Sequence, residues 1–170
     1  MTRRSFVGLA KQYALHHHGD QKYGELPYEV HLQAVVNVLL ESCSWNPALE
    51  VRLAAAWLHD VVEDTEATQR TVWDEFGPEV AAIVWACSGV GKNRTERNAS
   101  IYQKIGDLEP EPRRDAAMVK VADRIANLEQ AAPGSRHKSM YRRERVAFYN
   151  AVARYSSPNL IDRLTAAYGD

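Results

Sequence analysis

The segment Trp57-Leu58-His59-Asp60-Val61-Val62-Glu63-Asp64-Thr65 sets one imidazole and three carboxylates into the most apolar stretch of the chain. On a helix, residues four apart share a face, so His59 would sit above Glu63 and Asp60 above Asp64. Carboxylates crowded together away from water repel one another, and something positive between them, a metal ion or a catalytic partner, would relieve the repulsion. The other reading is a solvated helix end, which the helix dipole disfavours because acids are badly placed at a C-terminus. A second polar island is Asp123, embedded in Met118–Leu128 with Asn127 one turn on. It fits an internal hydrogen-bond network, or a ligand backed by an amide. His31, just after Pro27-Tyr28-Glu29-Val30, would by itself be a core or capping histidine. His137 reads as surface, as do His16, His17 and His18, with one of these three left open to face a pocket.

Taken together, His31, His59-Asp60 and Asp123 form an H…HD…D series carried on three separate helices. Two imidazoles and two carboxylates suit a borderline divalent ion such as Mn, Fe, Co or Zn. Adjacent His and Asp side chains cannot point alike on a helix, but they can share an ion along its flank. Such an ion keeps open positions for water and a phosphate oxygen, lowers the pKa of that water and polarises the phosphoryl group.

The elements that must position these residues all read as helices, since apolar residues recur at helical spacing and no alternating strand pattern stands out. The first helix is expected over Arg4–His18, followed by a polar loop Gly19–Glu29 and a second helix from Val30. Asn46-Pro47 is a helix start, the Asn capping free N–H groups and the Pro fitting the first turn. From it one helix is expected through Asp64, apolar nearly all round and therefore central. Thr65 should cap a short helix ending at Gly77, and Pro78 should open another through Cys87. Ser88–Thr95 reads as a Gly-rich basic loop, Glu96–Gly106 as a helix, and Glu109–Pro112 as a break. Asp115–Gln130 is helical, Pro133-Gly134 ends it, and helices over Lys138–Tyr155 and Pro158–Tyr168 close a single all-α domain spanning 1–170.

The 170 residues carry 21 Lys+Arg against 22 Asp+Glu, a balance that argues against binding nucleic-acid polymers or anionic membranes. A chain this long buries about 70% of its unfolded surface and needs no structural staple. Its two cysteines, Cys43 and Cys87, form no CxxC pair, which excludes a thiolate zinc site and suits a reducing cytoplasm. The N-terminus lacks the apolar run of a signal peptide, and no stretch approaches the roughly 18 apolar residues of a membrane span. The expected location is therefore cytoplasmic, with an oligomer left open.

The stretches HGDQKYGELPYEVH, AAAWLHDVVEDT, FGPEVAAIV and MVKVADRIANL resemble the HD-domain phosphohydrolases, and within them the hydrolase domain of the Rel/Spo alarmone enzymes. The small stand-alone alarmone hydrolases are similar in size. The resemblance runs from about Phe6 to Leu128 and, more weakly, through Tyr141, and the ED pair after HD is its most specific part. It implies an HD-domain bundle of eight to nine helices, with His31, His59, Asp60 and Asp123 as metal ligands, usually around Mn. It implies that Glu63 and Asp64 assist the nucleophilic water and that Asn127 lies near the nucleotide. The implied reaction removes the 3′-pyrophosphate of guanosine tetra- or pentaphosphate, a step of the stringent response.

Two departures stand out. Where the family has an Arg-Lys pair that helps hold the base, this chain reads Gln21-Lys22-Tyr23-Gly24, leaving Lys22 and Tyr23 for the task. The usual His-Pro is here His31-Leu32. With 170 residues there is no room for the synthetase domain of the long enzymes, so degradation alone is expected. Lys92, Arg94 and Arg97, in or just after the Gly-rich loop, with Lys104, Arg124 and Lys138, could gather phosphates, each of them otherwise a solvated surface base. Two other functions fit the same residues: an HD phosphohydrolase acting on another nucleotide or phosphorylated metabolite, and a non-catalytic nucleotide-binding protein or scaffold.

Overall fold

Ser5 opens the chain's first helix, its Oγ accepting from the Gly8 N–H at 3.1 Å. The computed structural model describes residues 5–169, so Arg4, where the sequence places this start, lies outside the described residues, as does Asp170. Helix α1 (Phe6–His18) lays Ala10 and Ala14 against the third helix. Next comes a two-stranded hairpin that the sequence pattern hides, β1 (Lys22–Tyr23) paired antiparallel with β2 (Leu26–Pro27). Strands of two residues are too short to show alternation. The signal was Gly24, whose φ of +59° suits the first central position of a two-residue hairpin loop.

Helix α2 (Glu29–Ser42) carries His31 on its buried face with Leu32, Val35 and Leu39. Helix α3 starts at Pro47 as expected, the Asn46 side chain accepting from the Leu49 N–H at 3.1 Å. It does not run through Asp64. Helix α3 (Pro47–Leu58) stops, His59 and Asp60 form a turn, and a single new turn, α4 (Val61–Asp64), follows. The His59 ring turns back to the α3 end, Nδ1 lying 2.8 Å from the Ala56 carbonyl. The Asp60 carbonyl then accepts from the N–H groups of Glu63 and Asp64 at 3.1 and 2.9 Å, starting the helix afresh. Thr65 ends that turn, its hydroxyl donating to the Val61 carbonyl at 2.7 Å.

The cap of α5 (Gln69–Cys87) is therefore Thr68 and not Thr65; Thr68 and Thr71 bond each other's backbone N–H groups. Gly77, at φ +83°, kinks α5 at the Gly-Pro step where the sequence separates two helices. Asn93 caps α6 (Arg94–Asp107), which begins two residues before the expected Glu96. Helix α7 (Pro110–Gln130) starts at the first proline of EPEP, because Pro is pre-set for the first helical position, so the break shrinks to Leu108 and Glu109. Helix α8 (Arg136–Ala151), a 3₁₀ turn (Ala153–Tyr155) and α9 (Pro158–Tyr168) complete an all-α bundle of nine α-helices among the described residues.

Helix α7 is the axis, touching α2, α3, α5, α6, α8 and α9. It buries Asp123 and Arg124 along with Val119, Ala122, Ile125 and Ala126. Because α2 and α3 both pack on α7, His31, the α3–α4 turn and Asp123 are brought to one end of the core. Among the described residues, no helix is long and apolar enough to cross a membrane.

Candidate active site

His59 and Asp60 stand in the turn between α3 and α4, both with right-handed helical backbone (φ −59°, ψ −29° and φ −103°, ψ −5°). Neighbours in sequence point about 100° apart on an α-helix, yet His59 Nε2 lies 2.9 Å from Asp60 Oδ2. His31 Nε2, from α2, is 3.7 Å from the same oxygen. Asp123 Oδ1, from α7, lies 3.3 Å from His31 Nε2 and 3.7 Å from His59 Nε2. Donor atoms of His31, His59 and Asp60 all fall within 4.8 Å of one another. The four residues of the H…HD…D series thus meet, and His31 and Asp123 take part in the cluster instead of forming separate core contacts.

His59 Nε2 is buried and has no hydrogen-bond partner, although a carboxylate oxygen is 2.9 Å away. The ring nitrogen is near the oxygen but not aimed at it, as ligands around a common centre are and an ion pair is not. Its Nδ1, occupied by the Ala56 carbonyl, fixes the ring so that Nε2 faces the cluster. Burial would lower the pKa of His59, but Asp60 and Asp123 outweigh burial and raise it to about 10. Asp60 and Asp123 are held below the usual carboxylate range, because His59 and Lys120 outweigh the effect of burial. Two carboxylates this close together favour positive charge between them, which a divalent cation supplies as well as a proton. The residues fit a metal.

Each carboxylate has a support. Tyr28 donates from its hydroxyl to Asp60 Oδ2 at 2.5 Å. Tyr23 donates to Asn127 Oδ1 at 3.0 Å, and Asn127 Nδ2 donates to Asp123 Oδ1 at 2.6 Å. The Tyr23 ring also stacks on His31, with centroids 4.9 Å apart and planes 12° from parallel. Burial, with neighbouring Tyr141 and Asp123, raises the Tyr23 phenol to about 12, and burial with Asp60 raises Tyr28, so both remain donors. Lys120 Nζ lies 2.9 Å from Asp123 Oδ2.

Glu63 and Asp64 border the same cavity. Glu63 Oε2 accepts from the Gly89 N–H at 2.6 Å, and Glu63 Oε1 lies 3.5 Å from Arg97 Nε. Burial raises the Glu63 pKa above its ordinary value. Asp64 Oδ2 accepts from Gln21 Nε2 at 2.9 Å. The Gly-rich loop has a packing reason: a Cβ on Gly89 would lie 2.7 Å from Arg97 Cβ. Only without one can the loop press against α6 and bring the Gly89 N–H to Glu63.

A cavity of about 210 Å³ opens on this cluster, lined by the acids Asp60, Glu63, Asp64 and Asp123 and by the bases Arg94, Arg97, Lys120 and Arg124. A second cavity of about 650 Å³ shares Tyr23, Asn127 and Tyr141 with it and adds Leu26, Val30, Ala131 and Ala132. Of the residues that sequence reasoning assigned to substrate, Asn127 and Arg94 line the cavity and Lys22, Lys92 and Lys138 do not. Lys22 points outward because alternation along β1 turns Tyr23 inward. Lys92 is exposed in the loop, and Lys138 Nζ reaches toward the α9 end at Gly169. Lys120 faces Asp123, as its i, i+3 spacing allows. Tyr141 and Glu144 carried no recognisable motif, and Tyr28, inside the HGDQKYGELPYEVH stretch, was not assigned a role. For Tyr28 a signal was present, since it stands three residues before His31 at the helix start.

A profile of the HD domain matches residues 9–155. The chain belongs to the HD-domain family. The guanosine-3′,5′-bis(diphosphate) 3′-pyrophosphohydrolase of Aquifex aeolicus is 32% identical over 125 residues, 72% of this chain and 17% of that protein. Its counterpart in Vibrio cholerae is 33% identical over 116 residues, 66% of this chain and 16% of that protein. A probable GTP pyrophosphokinase of Mycobacterium leprae is 32% identical over 130 residues, 73% and 16% of the two chains. This HD domain thus spans 16–17% of the length of these relatives. A solved structure described as "A metazoan ortholog of SpoT hydrolyzes ppGpp and plays a role in starvation responses" superposes with a TM-score of 0.74 at 25% identity, covering 99% of this chain and 96% of the other.

Proposed function

We propose that this HD domain is a metal-dependent 3′-pyrophosphohydrolase of guanosine tetra- and pentaphosphate, working in the cytoplasm on a small nucleotide. The observation that carries the reading is the buried, unpartnered His59 Nε2 beside Asp60 and Asp123, with His31 Nε2 facing the same oxygens. His31, His59, Asp60 and Asp123 would hold the ion, manganese by the resemblance to the alarmone hydrolases, with Fe, Co and Zn also suited to the donors. A bound ion would lower the pKa of water and polarise the phosphoryl oxygen. The substrate assignment draws on relatives whose names specify guanosine-3′,5′-bis(diphosphate) and on the structural neighbour described as hydrolysing ppGpp.

The chain's residues divide the work as follows. Glu63, with a pKa raised by burial, accepts a proton from the attacking water. Asp64, held by Gln21, orients that water. The water oxygen bonds to the inner phosphorus of the 3′-diphosphate, the bond from that phosphorus to the ribose 3′ oxygen breaks, and the 3′ oxygen takes up a proton. The products are pyrophosphate and GDP or GTP. The nucleoside lies in the larger cavity, between Tyr23, Tyr141 and the aliphatic wall. A second reading, hydrolysis of another nucleotide, is favoured by Lys22 lying outside both cavities, so that among the described residues lining the larger cavity there is no Lys or Arg, only His137.

The test is a turnover screen with Mn across guanosine tetraphosphate, nucleoside mono-, di- and triphosphates and cyclic nucleotides. Pyrophosphate release from guanosine tetraphosphate is expected. Turnover of nucleoside monophosphates alone would transfer the assignment to the second reading. Asp123→Ala should lose bound metal and activity together.

A further inference from the structure

Helix α8 is basic, with Arg136, Lys138, Arg142, Arg143 and Arg145 around a single acid, Glu144. That acid faces the wall of the 210 Å³ cavity. Its Oε1 and Oε2 accept from Arg94 Nε and Nη2 at 2.6 and 3.0 Å, and Oε2 lies 3.1 Å from Arg124 Nη2. Both guanidinium groups also lie over the Tyr141 ring, 5.1 and 4.5 Å from its centroid, and Arg124 lies 4.2 Å from that of Phe148. Two planar cations are thereby fixed side by side. One carboxylate against two guanidinium groups leaves this trio with one excess positive charge; Arg97 and Lys120, which border the same space, lie against Glu63 and Asp123. Arg124 is 5% exposed, and its Nη1 is buried with no acceptor in the protein.

On the reading that the scissile phosphate sits at His31, His59, Asp60 and Asp123, we propose that Arg94 and Arg124, positioned by Glu144, form a subsite for the outer phosphate of a diphosphate. The ligand class is a diphosphate ester or free pyrophosphate, as distinct from a phosphomonoester. A cavity of about 210 Å³ is smaller than the roughly 300–1,000 Å³ of sites that enclose a whole small molecule, so phosphates occupy it and the remainder of the substrate extends into the larger cavity. Glu144 touches no reacting atom. Its part is to hold the two guanidinium groups side by side at the cavity, through Arg94 Nε and Nη2 and Arg124 Nη2, as positioned cations for phosphate.

The test is calorimetric titration of the Mn-loaded protein with inorganic pyrophosphate and with inorganic orthophosphate, free Mn being equal in cell and syringe. The intact protein should bind pyrophosphate at least about tenfold more tightly than orthophosphate. Glu144→Gln and Arg94→Gln should each reduce that ratio below about threefold while leaving orthophosphate affinity in place, and Glu144→Asp should restore part of it. Arg94 is 39% exposed at its side chain, so its variant keeps the test alive should Glu144→Gln fail to fold. No pyrophosphate preference in the intact protein, or a preference that survives Arg94→Gln, would overturn the proposal. Equal loss of both affinities would mark Glu144 as purely structural and overturn it as well. Its failure differs from failure of the functional reading: a protein that discriminates pyrophosphate through these residues yet leaves guanosine tetraphosphate intact supports the subsite and defeats the substrate assignment.

Discussion

Glu63→Gln separates proton transfer from every other task its carboxylate performs. Glutamine keeps the length and an oxygen for the Gly89 N–H, now bonded at 2.6 Å, but cannot take a proton at neutral pH. Exchanging a charged acceptor for a neutral one weakens that hydrogen bond by about 1 kcal/mol, so loosening of the Gly89 loop can account for no more than about a tenfold loss. Loss of the weaker Arg97 contact at 3.5 Å adds little, since Arg97 is 41% exposed at its side chain and a pair this open is worth under about 1 kcal/mol. A general base contributes about 10²–10⁴ in rate. Metal content and kcat measured on one sample therefore give a clear division. A fall in kcat of a hundredfold or more with metal retained is the expected result. A fall of tenfold or less would refute the base role, and loss of metal would make Glu63 a ligand or its support.

Tyr28→Phe removes only the hydroxyl donated to Asp60 and should weaken Mn binding about 10–100-fold with the helical circular-dichroism signal unchanged, as read by chelator competition. With Tyr23 in the cavity and Lys22 outside it, adenosine and guanosine 3′-pyrophosphates should be hydrolysed within about tenfold of each other, roughly 1.4 kcal/mol; a guanosine preference above about a thousandfold in kcat/KM would show that base recognition comes from other residues. Gly89→Ala would drive its Cβ against Arg97 and should cost about 1–3 kcal/mol in urea denaturation while lowering kcat by displacing the N–H from Glu63. Burial opposes ionisation of Glu144, but Arg94 and Arg124 outweigh it and lower its pKa below the ordinary 4.5. Its stabilising contribution is therefore present above that pH and lost as pH falls through the lowered folded-state pKa, so Glu144→Gln should be less stable than the parent at pH 7, with the difference shrinking in urea denaturation as the pH is taken below 4.5.

Much of this was legible in the sequence because charge inside apolar helix is conspicuous. His59, Asp60 and Asp123 stood out against core-like neighbours, and Asn46-Pro47 and Gly77-Pro78 punctuated the helices through backbone chemistry that acts locally. The break after Leu58 was not legible. Every residue from Pro47 to Asp64 tolerates helix, and the interruption follows from the His59 ring returning to the Ala56 carbonyl and from the tertiary pull of the cluster. Basic residues were equally ambiguous. Arg94 and Lys92 are two positions apart, yet one begins α6 and borders the cavity while the other lies exposed in the preceding loop. Which way a long flexible cation points depends on a partner such as Glu144, fifty positions further on, and no local pattern records that.

The turn at His59-Asp60 bears on whether such a pair can be transplanted. Copied onto the face of an uninterrupted helix, the two side chains would start about 100° apart and would lack the turn that sets their spacing here. The portable unit is larger. It includes the Ala56 carbonyl that fixes the ring, the Asp60 carbonyl that restarts the backbone, and the Val61–Thr65 turn, too short to persist alone, that buried Val61 pins to the core. A designer seeking this centre should look for junctions between helices and not for faces along them, and a scan for ligands at helical spacing would pass over it.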